Sequence, residues 1–494
     1  MTSYRKGLPL IFLVFWQTVA LCDARGFTLC GTIPIAAGEV ATLYIYPEFC
    51  FRQLEPYGAA RYVDTVQHGS FAFHVSDITQ RFYIRLVFSS QENRKHSLQF
   101  YLAEPGDDIL LTVSDSITAF TGLGAEGFRC QYRLNRMVPV LTDAHRASIR
   151  SEGGRLSPTD SLVQIVSAVV ADSVGKAQLA LLNTYRDSLS HDSYTQLYID
   201  YTFKLPAKQV KALNTLLSGF VSDRATKNWI HGIIYRFWLP RLGYAAGVEG
   251  PLLVKSSSFT DFALQILYSQ HLVTLGNRES TDVFAEMKAR LDATFTGYLQ
   301  EHLLVALMVR YFKGNVNTGL LTGLRAKSFK NPAHTLIVYQ VMAAKATGQP
   351  AYPFALTDQH GTLVRLDDFA RKVLVLDFWF TGCIWCKALE KKMKPIKAAL
   401  HADSRIIFLS VNLDKDRDIW LRSMSRDEYT DRMAINLFTE GLGFRHPFPA
   451  YYGFMGAPQQ LIFDTNHELV SHNADFDETE FIDYLKGLAQ RASP

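Results

Sequence analysis

Apolar and polar residues alternate in short runs along the first quarter of the chain. In Ala41-Thr-Leu43-Tyr-Ile45-Tyr46 and in Ser70-Phe71-Ala-Phe73-His-Val75 every second side chain is apolar, the period of a strand with one face on a core. Phe82–Phe88, Leu98–Leu102 and Ile109–Val113 continue the series, and Glu104-Pro-Gly-Asp107 reads as a turn. His68-Gly69 marks a tight hairpin between Tyr62–Val66 and the strand at Ser70. Short strands separated by turn residues predict a small antiparallel β-sandwich over residues 25–122.

From about Cys130 the period becomes helical. Leu162, Ile165, Val166, Val169 and Val170 recur at three-and-four spacing, as do Leu179, Leu182 and Tyr185. Leu189–Tyr194 reads as the cap of a helix stopped near Pro206, and Trp229–Trp238 as an apolar helix ending at Pro240. Phe259–Ser269, Val283–Leu291, Thr296–Tyr311 and Ala333–Ala346 read as further helices, giving an α-helical domain over 123–347. Its scattered His, Tyr and Trp carry no metal or nucleophile spacing.

After the linker Gly348-Gln-Pro350 come two continuous apolar runs, Val373–Leu376 and Ile406–Val411, on either side of a Lys/Glu/Leu/Ala-rich stretch. That is strand–helix–strand, a parallel crossover. It predicts an α/β domain over 351–492, with a central mixed sheet and helices on both faces. The fold class is therefore multidomain.

Length and charge agree: 494 residues exceed one core and fit about three domains. Apolar content of 48% and charged content of 20% are those of a globular protein. A net charge of +4 with no long basic run argues against nucleic acid as a partner. Arg5 and Lys6 precede the short apolar run Leu8–Trp16 and then small residues, which reads as a signal peptide over residues 1–24. The run is too short for a good membrane span, so the expectation is export to the periplasm or cell envelope. A lipid anchor on Cys22 is the alternative, although Leu21 stands where a lipobox has Gly or Ala. Export places the six cysteines in an oxidising compartment. Cys30, Cys50 and Cys130 are an odd set, so one at least should be free; spacing leaves a Cys30–Cys50 bridge open.

The chemistry concentrates in Val373-Leu-Val-Leu-Asp377-Phe-Trp379-Phe-Thr-Gly-Cys383-Ile-Trp385-Cys386. A strand delivers a dithiol to the first turn of a helix. Unpaired N–H groups and the positive end of the macrodipole there favour a thiolate on Cys383, below its free pKa of about 8.5. Cys386 lies about one turn on, within reach of a disulfide. A thiol–disulfide exchanger fits this layout. A zinc site would need a second ligand pair, and none follows. An inert structural disulfide remains the plain alternative.

These residues resemble the thioredoxin superfamily, and more narrowly its TlpA/ResA-like branch of extracytoplasmic thiol–disulfide oxidoreductases. The likeness extends to the leading hairpin Tyr352–Phe369, the strand Ile406–Asn412 and the strand at Gly456-Ala457-Pro458, over roughly the last 145 residues. The first strands resemble a β-domain placed ahead of such domains in Bacteroidetes. The resemblance implies that Cys383 is the more exposed sulfur and attacks a disulfide in a protein substrate, and that Cys386 resolves the mixed disulfide. It implies that Asp377, six residues before Cys383, is a buried general base. It further implies that Pro458 follows a cis peptide bond and frees the Ala457 main chain to pair with substrate. Trp379 and Trp385 should wall the sulfurs and touch substrate. The branch's acidic position falls on Leu389 and its motif proline arrives late, at Pro395. Glu390 is adjacent, rotated by about 100° around the helix, and is a candidate acid/base. No cofactor is implied, and a membrane thiol carrier would supply electrons to a reductant. A second hypothesis is a non-enzymatic cell-envelope binding protein with a structural thioredoxin-like domain.

Overall fold

The computed structural model describes residues 26–34, 39–47, 59–89, 96–114, 118–137, 173–219, 223–245, 250–275, 283–312, 322–324, 327–473 and 477–491. The expected signal segment with Cys22, Cys50, and the helical period at Leu162–Val170 lie outside them.

Eight strands form two four-stranded sheets, β4-β1-β7-β8 and β3-β2-β5-β6. They are β1 (Phe27–Thr32), β2 (Val40–Tyr46), β3 (Ala60–Thr65), β4 (Ser70–Val75), β5 (Phe82–Phe88), β6 (Leu98–Ala103), β7 (Asp108–Val113) and β8 (Thr118–Leu123). The alternation works as a burial code: Phe71, Phe73 and Val75 of β4 face a shared core with Leu43, Leu86 and Leu111. Two expectations need correction. The sheets are not purely antiparallel, because β1 runs parallel to β7, Leu29 opposite Ile109. The turn at His68-Gly69 forms, both residues having positive φ, but β3 pairs with β2 and β4 with β1. The chain changes layers there, which lets the apolar face of β4 close the core from the opposite sheet. Gly122 (φ +102°) closes the edge strand where a Cβ would meet the Asp108 carbonyl oxygen at 2.0 Å. Cys30 and Cys130 are free thiols among the described residues.

The helical region contains α1 (His191–Gly219), α2 (Ser257–Leu275), α3 (Gly297–Tyr311) and α4 (Pro332–Lys345) among others. Pro206 does not stop α1 but lies inside it. The proline forfeits one backbone bond, yet Phe203, Val210, Leu213 and Leu217 keep the same face buried across it, and that packing outweighs local propensity. Side chains tie α1 to the sandwich. The Ser190 and Ser193 hydroxyls donate to Glu104 at 2.5 and 2.7 Å, and Arg81 pairs with Asp192 at 2.6 Å. Tyr83 donates its hydroxyl hydrogen to buried Asp200.

The last region is a seven-stranded mixed sheet, ordered β10-β9-β13-β12-β11-β14-β15. Its strands are β9 (Ala355–Asp358), β10 (Leu363–Arg365), β11 (Val373–Trp379), β12 (Ile406–Asn412), β13 (Ile435–Phe438), β14 (Gln459–Phe463) and β15 (Leu469–His472). Strands β11, β12 and β13 run parallel, and β14 is antiparallel to β11. Every residue of β11 is buried, as a strand covered on both faces requires. Helices α5 (Ile384–Leu400) and α7 (Glu478–Gln490) pack on Val373 and Val375, while Phe448 and Tyr452 cover Leu374, Leu376 and Phe378. Helix α6 (Arg417–Met424) follows β12.

Candidate active site

Strand β11 and helix α5 meet at a four-residue turn. Gly382 takes φ +90°, which reverses the chain, and Cys383 becomes the N-cap of α5. The Cys386 N–H donates to Cys383 Sγ at 3.1 Å, so one of the orphan donors of the helix points at this sulfur. The two sulfurs are joined at 2.00 Å with a Cα–Cα distance of 5.2 Å. Across from them the Ala457–Pro458 bond is cis, and the Ala457 carbonyl oxygen lies 3.6 Å from Cys383 Sγ.

Side chains alternate along β11, so Val373, Val375, Asp377 and Trp379 share the face that α5 covers. Asp377 is buried there. Ser410 donates its hydroxyl hydrogen to Asp377 Oδ2 at 3.1 Å and accepts the Trp379 indole N–H at 2.8 Å. Burial pushes the Asp377 carboxyl up to about 6, against the opposing pull of Lys397. On α5, Cys386, Glu390, Met393, Lys397 and Leu400 fall at four-and-three spacing and all are buried. Glu390 Oε2 accepts from Lys397 Nζ at 2.7 Å, and Asp431 Oδ1 lies 3.7 Å from the same ammonium. Burial raises Glu390 to about 7. For Lys397 burial acts downward, but Asp377, Glu390 and Asp431 outweigh it and hold the ammonium above its usual pKa. Three carboxyls and one ammonium therefore share a dry site under the dithiol helix.

Two expected residues sit differently. Trp379 is 1% exposed and stacks on Tyr429 at 5.0 Å between ring centroids, so it floors the dithiol and cannot touch a substrate. Trp385 stands out from the helix at 61% exposure and Ile384 at 77%, forming a rim and not a wall against the sulfurs. Cys383 is scarcely more exposed than Cys386, 5% against 3%, because Trp379, Trp420, Tyr429 and Phe438 pack around both.

Sequence reasoning passed over Lys397, Asp431, Tyr429 and Asp414. The Tyr429 hydroxyl accepts the Gly382 N–H at 2.9 Å, and Asp414 takes both the Thr381 amide and its hydroxyl, at 3.0 and 2.6 Å. These contacts fix the turn that carries Cys383. Lys397 alone had a signal, the inward stripe of α5.

No family model matches the chain, and no curated protein matches it. Solved structures do. A thiol:disulfide interchange protein from Bacteroides sp. is 22% identical, over 30% of this chain and 92% of that one, with a TM-score of 0.26. The thioredoxin domain of a thiol-disulfide oxidoreductase from Bacteroides vulgatus is 21% identical over 30% and 99%, TM-score 0.26. A thiol-disulfide oxidoreductase from Bacteroides fragilis is 16% identical over 28% and 99%, TM-score 0.26. Each of these matches covers less than a third of this chain.

Proposed function

We propose that the chain is an extracytoplasmic thiol–disulfide oxidoreductase that exchanges disulfides with protein substrates through Cys383 and Cys386, working as a reductant. One observation carries this reading: a closed Cys383–Cys386 pair at a helix N-terminus, beside a main-chain carbonyl and above buried carboxyls.

In the reduced protein the Cys383 thiolate attacks a sulfur of the partner's disulfide. That S–S bond breaks, a mixed disulfide forms, and the other partner sulfur leaves as a thiolate that takes up a proton. Cys386 gives its proton to Asp377 and attacks Cys383 Sγ, releasing the partner's second thiol. Two electrons have then passed to the partner, and the Cys383–Cys386 bond is closed. With a pKa of about 6, Asp377 can accept and return a proton near neutral pH. Electrons to reopen the bond come from an external dithiol, in this reading a membrane thiol carrier. Export rests on the basic and apolar N-terminal segment, and a lipid anchor on Cys22 would keep the protein at the envelope.

The test is insulin reduction by the full chain with dithiothreitol as donor. Wild type should accelerate it and Cys383→Ser should not; equal rates would leave a non-enzymatic binding protein.

A further inference from the structure

The sandwich, the helical region and the loop before Pro458 meet around a cavity of about 960 Å³. Its floor and walls come from β5 and β6, from helical residues 125–137, and from α1, α2 and α3; Met455 closes one side. We propose that this cavity binds an acidic segment of the disulfide-bearing partner chain and so selects which disulfides reach Cys383. The proposal rests on the oxidoreductase reading above and names its substrate class.

Charge points to an anion. Lys204, Lys208 and Lys211 follow at four-and-three spacing on α1, hence on one face of the helix, and Arg136 lines the cavity from another helical segment. The carboxylates in the lining are already engaged. Asp200 accepts the Tyr83 and Ser256 hydroxyls, and Asp261 pairs with Arg310. Hydroxyl donors leave the Asp200 charge in place, but Arg136, Lys204, Lys208, Lys211 and Arg310 outnumber the carboxylates Asp200 and Asp261, so positive charge is in excess in a concave site where fields focus.

Shape and position point to a chain. The half-buried rings of Phe100 and Tyr132 add apolar surface to the lining. The volume is at the upper end for small-molecule sites, about 300–1,000 Å³. Met455 precedes Ala457 by two residues, at most about 7 Å of chain, and the Ala457 carbonyl touches Cys383 Sγ. The Met455 side of the cavity therefore belongs to the same loop that touches the reactive sulfur.

The test uses the full chain and short fluorescein-labelled peptides without cysteine, rich in Glu, Asp and Tyr or in Lys and Tyr. Anisotropy should show binding of the acidic peptide only. Lys208→Glu/Lys211→Glu, at two exposed positions, should weaken it about tenfold. Reduction of hydroxyethyl disulfide, a small neutral compound, should be equal in wild type and variant. Should that variant not fold, Lys208→Gln/Lys211→Gln makes the same comparison. Equal affinity for acidic and basic peptides, or no loss in the variants, overturns the proposal. Acidic-peptide binding by a wild type that fails to reduce hydroxyethyl disulfide would uphold the site and refute the oxidoreductase reading, so the two failures are distinct.

Discussion

Lys397 Nζ donates to Glu390 Oε2 at 2.7 Å, with Lys397 fully buried and Glu390 4% exposed. Breaking such a pair from one side leaves uncompensated charge in a low dielectric. Lys397→Met should therefore cost about 3–5 kcal/mol in urea unfolding, and adding Glu390→Gln should restore part of it. A loss below about 1 kcal/mol would mean that the ammonium is not what balances these carboxyls.

Asp377 and Glu390 have native pKa values of about 6 and 7, above their ordinary 3.8 and 4.5. Between roughly pH 4 and pH 7 the native state thus holds protons that the unfolded chain has released. Stability falls as pH rises through that window. Asp377→Asn should flatten its share of the slope and slow insulin reduction about a hundredfold at neutral pH. Parallel stability–pH curves for wild type and variant would count against the buried carboxyl.

Tyr429→Phe keeps the ring that stacks on Trp379 and removes the acceptor for the Gly382 N–H. The stranded donor should cost about 1–3 kcal/mol by thermal unfolding. No change would show that water replaces the hydroxyl.

Cys386→Ser should halt exchange at the mixed disulfide, visible as a covalent adduct on non-reducing gels and lost on reduction. Adducts on Cys383→Ser instead would reverse the roles of the two sulfurs.

Pro206→Ala should stabilise the chain by up to about 3 kcal/mol, because alanine restores an α1 backbone bond and removes a ring clash. Destabilisation on urea unfolding would mean that α2 is fitted to a bend in α1.

The dithiol turn and the strands around it were legible because their signals are local. Alternation located β2, β4 and β7, and an unbroken apolar run located β11. Which sheet a strand joins was not legible, since β1 meets β7 some eighty residues away with no pattern shared between them. The same holds at the site. Tyr429 and Asp431 lie between α6 and β13, where sequence shows mostly polar residues and no period, and they matter through distant contacts. Lys397 was passed over for another reason: lysine is almost never fully buried, so its inward spacing was outweighed by its charge. Trp379 and Trp385 were grouped as alike by composition, yet one ends a strand and points into the core while the other begins a helix and points out.

Ile384 and Trp385 stand proud of the first turn of α5, while both sulfurs lie sunk between rings. In the function proposed above, a cystine clamped inside a rigid neighbour could not dip past those two bulky shoulders. One carried on slack polypeptide could. On that reading the rim favours disulfides carried on loose chain segments over those held inside rigid partners.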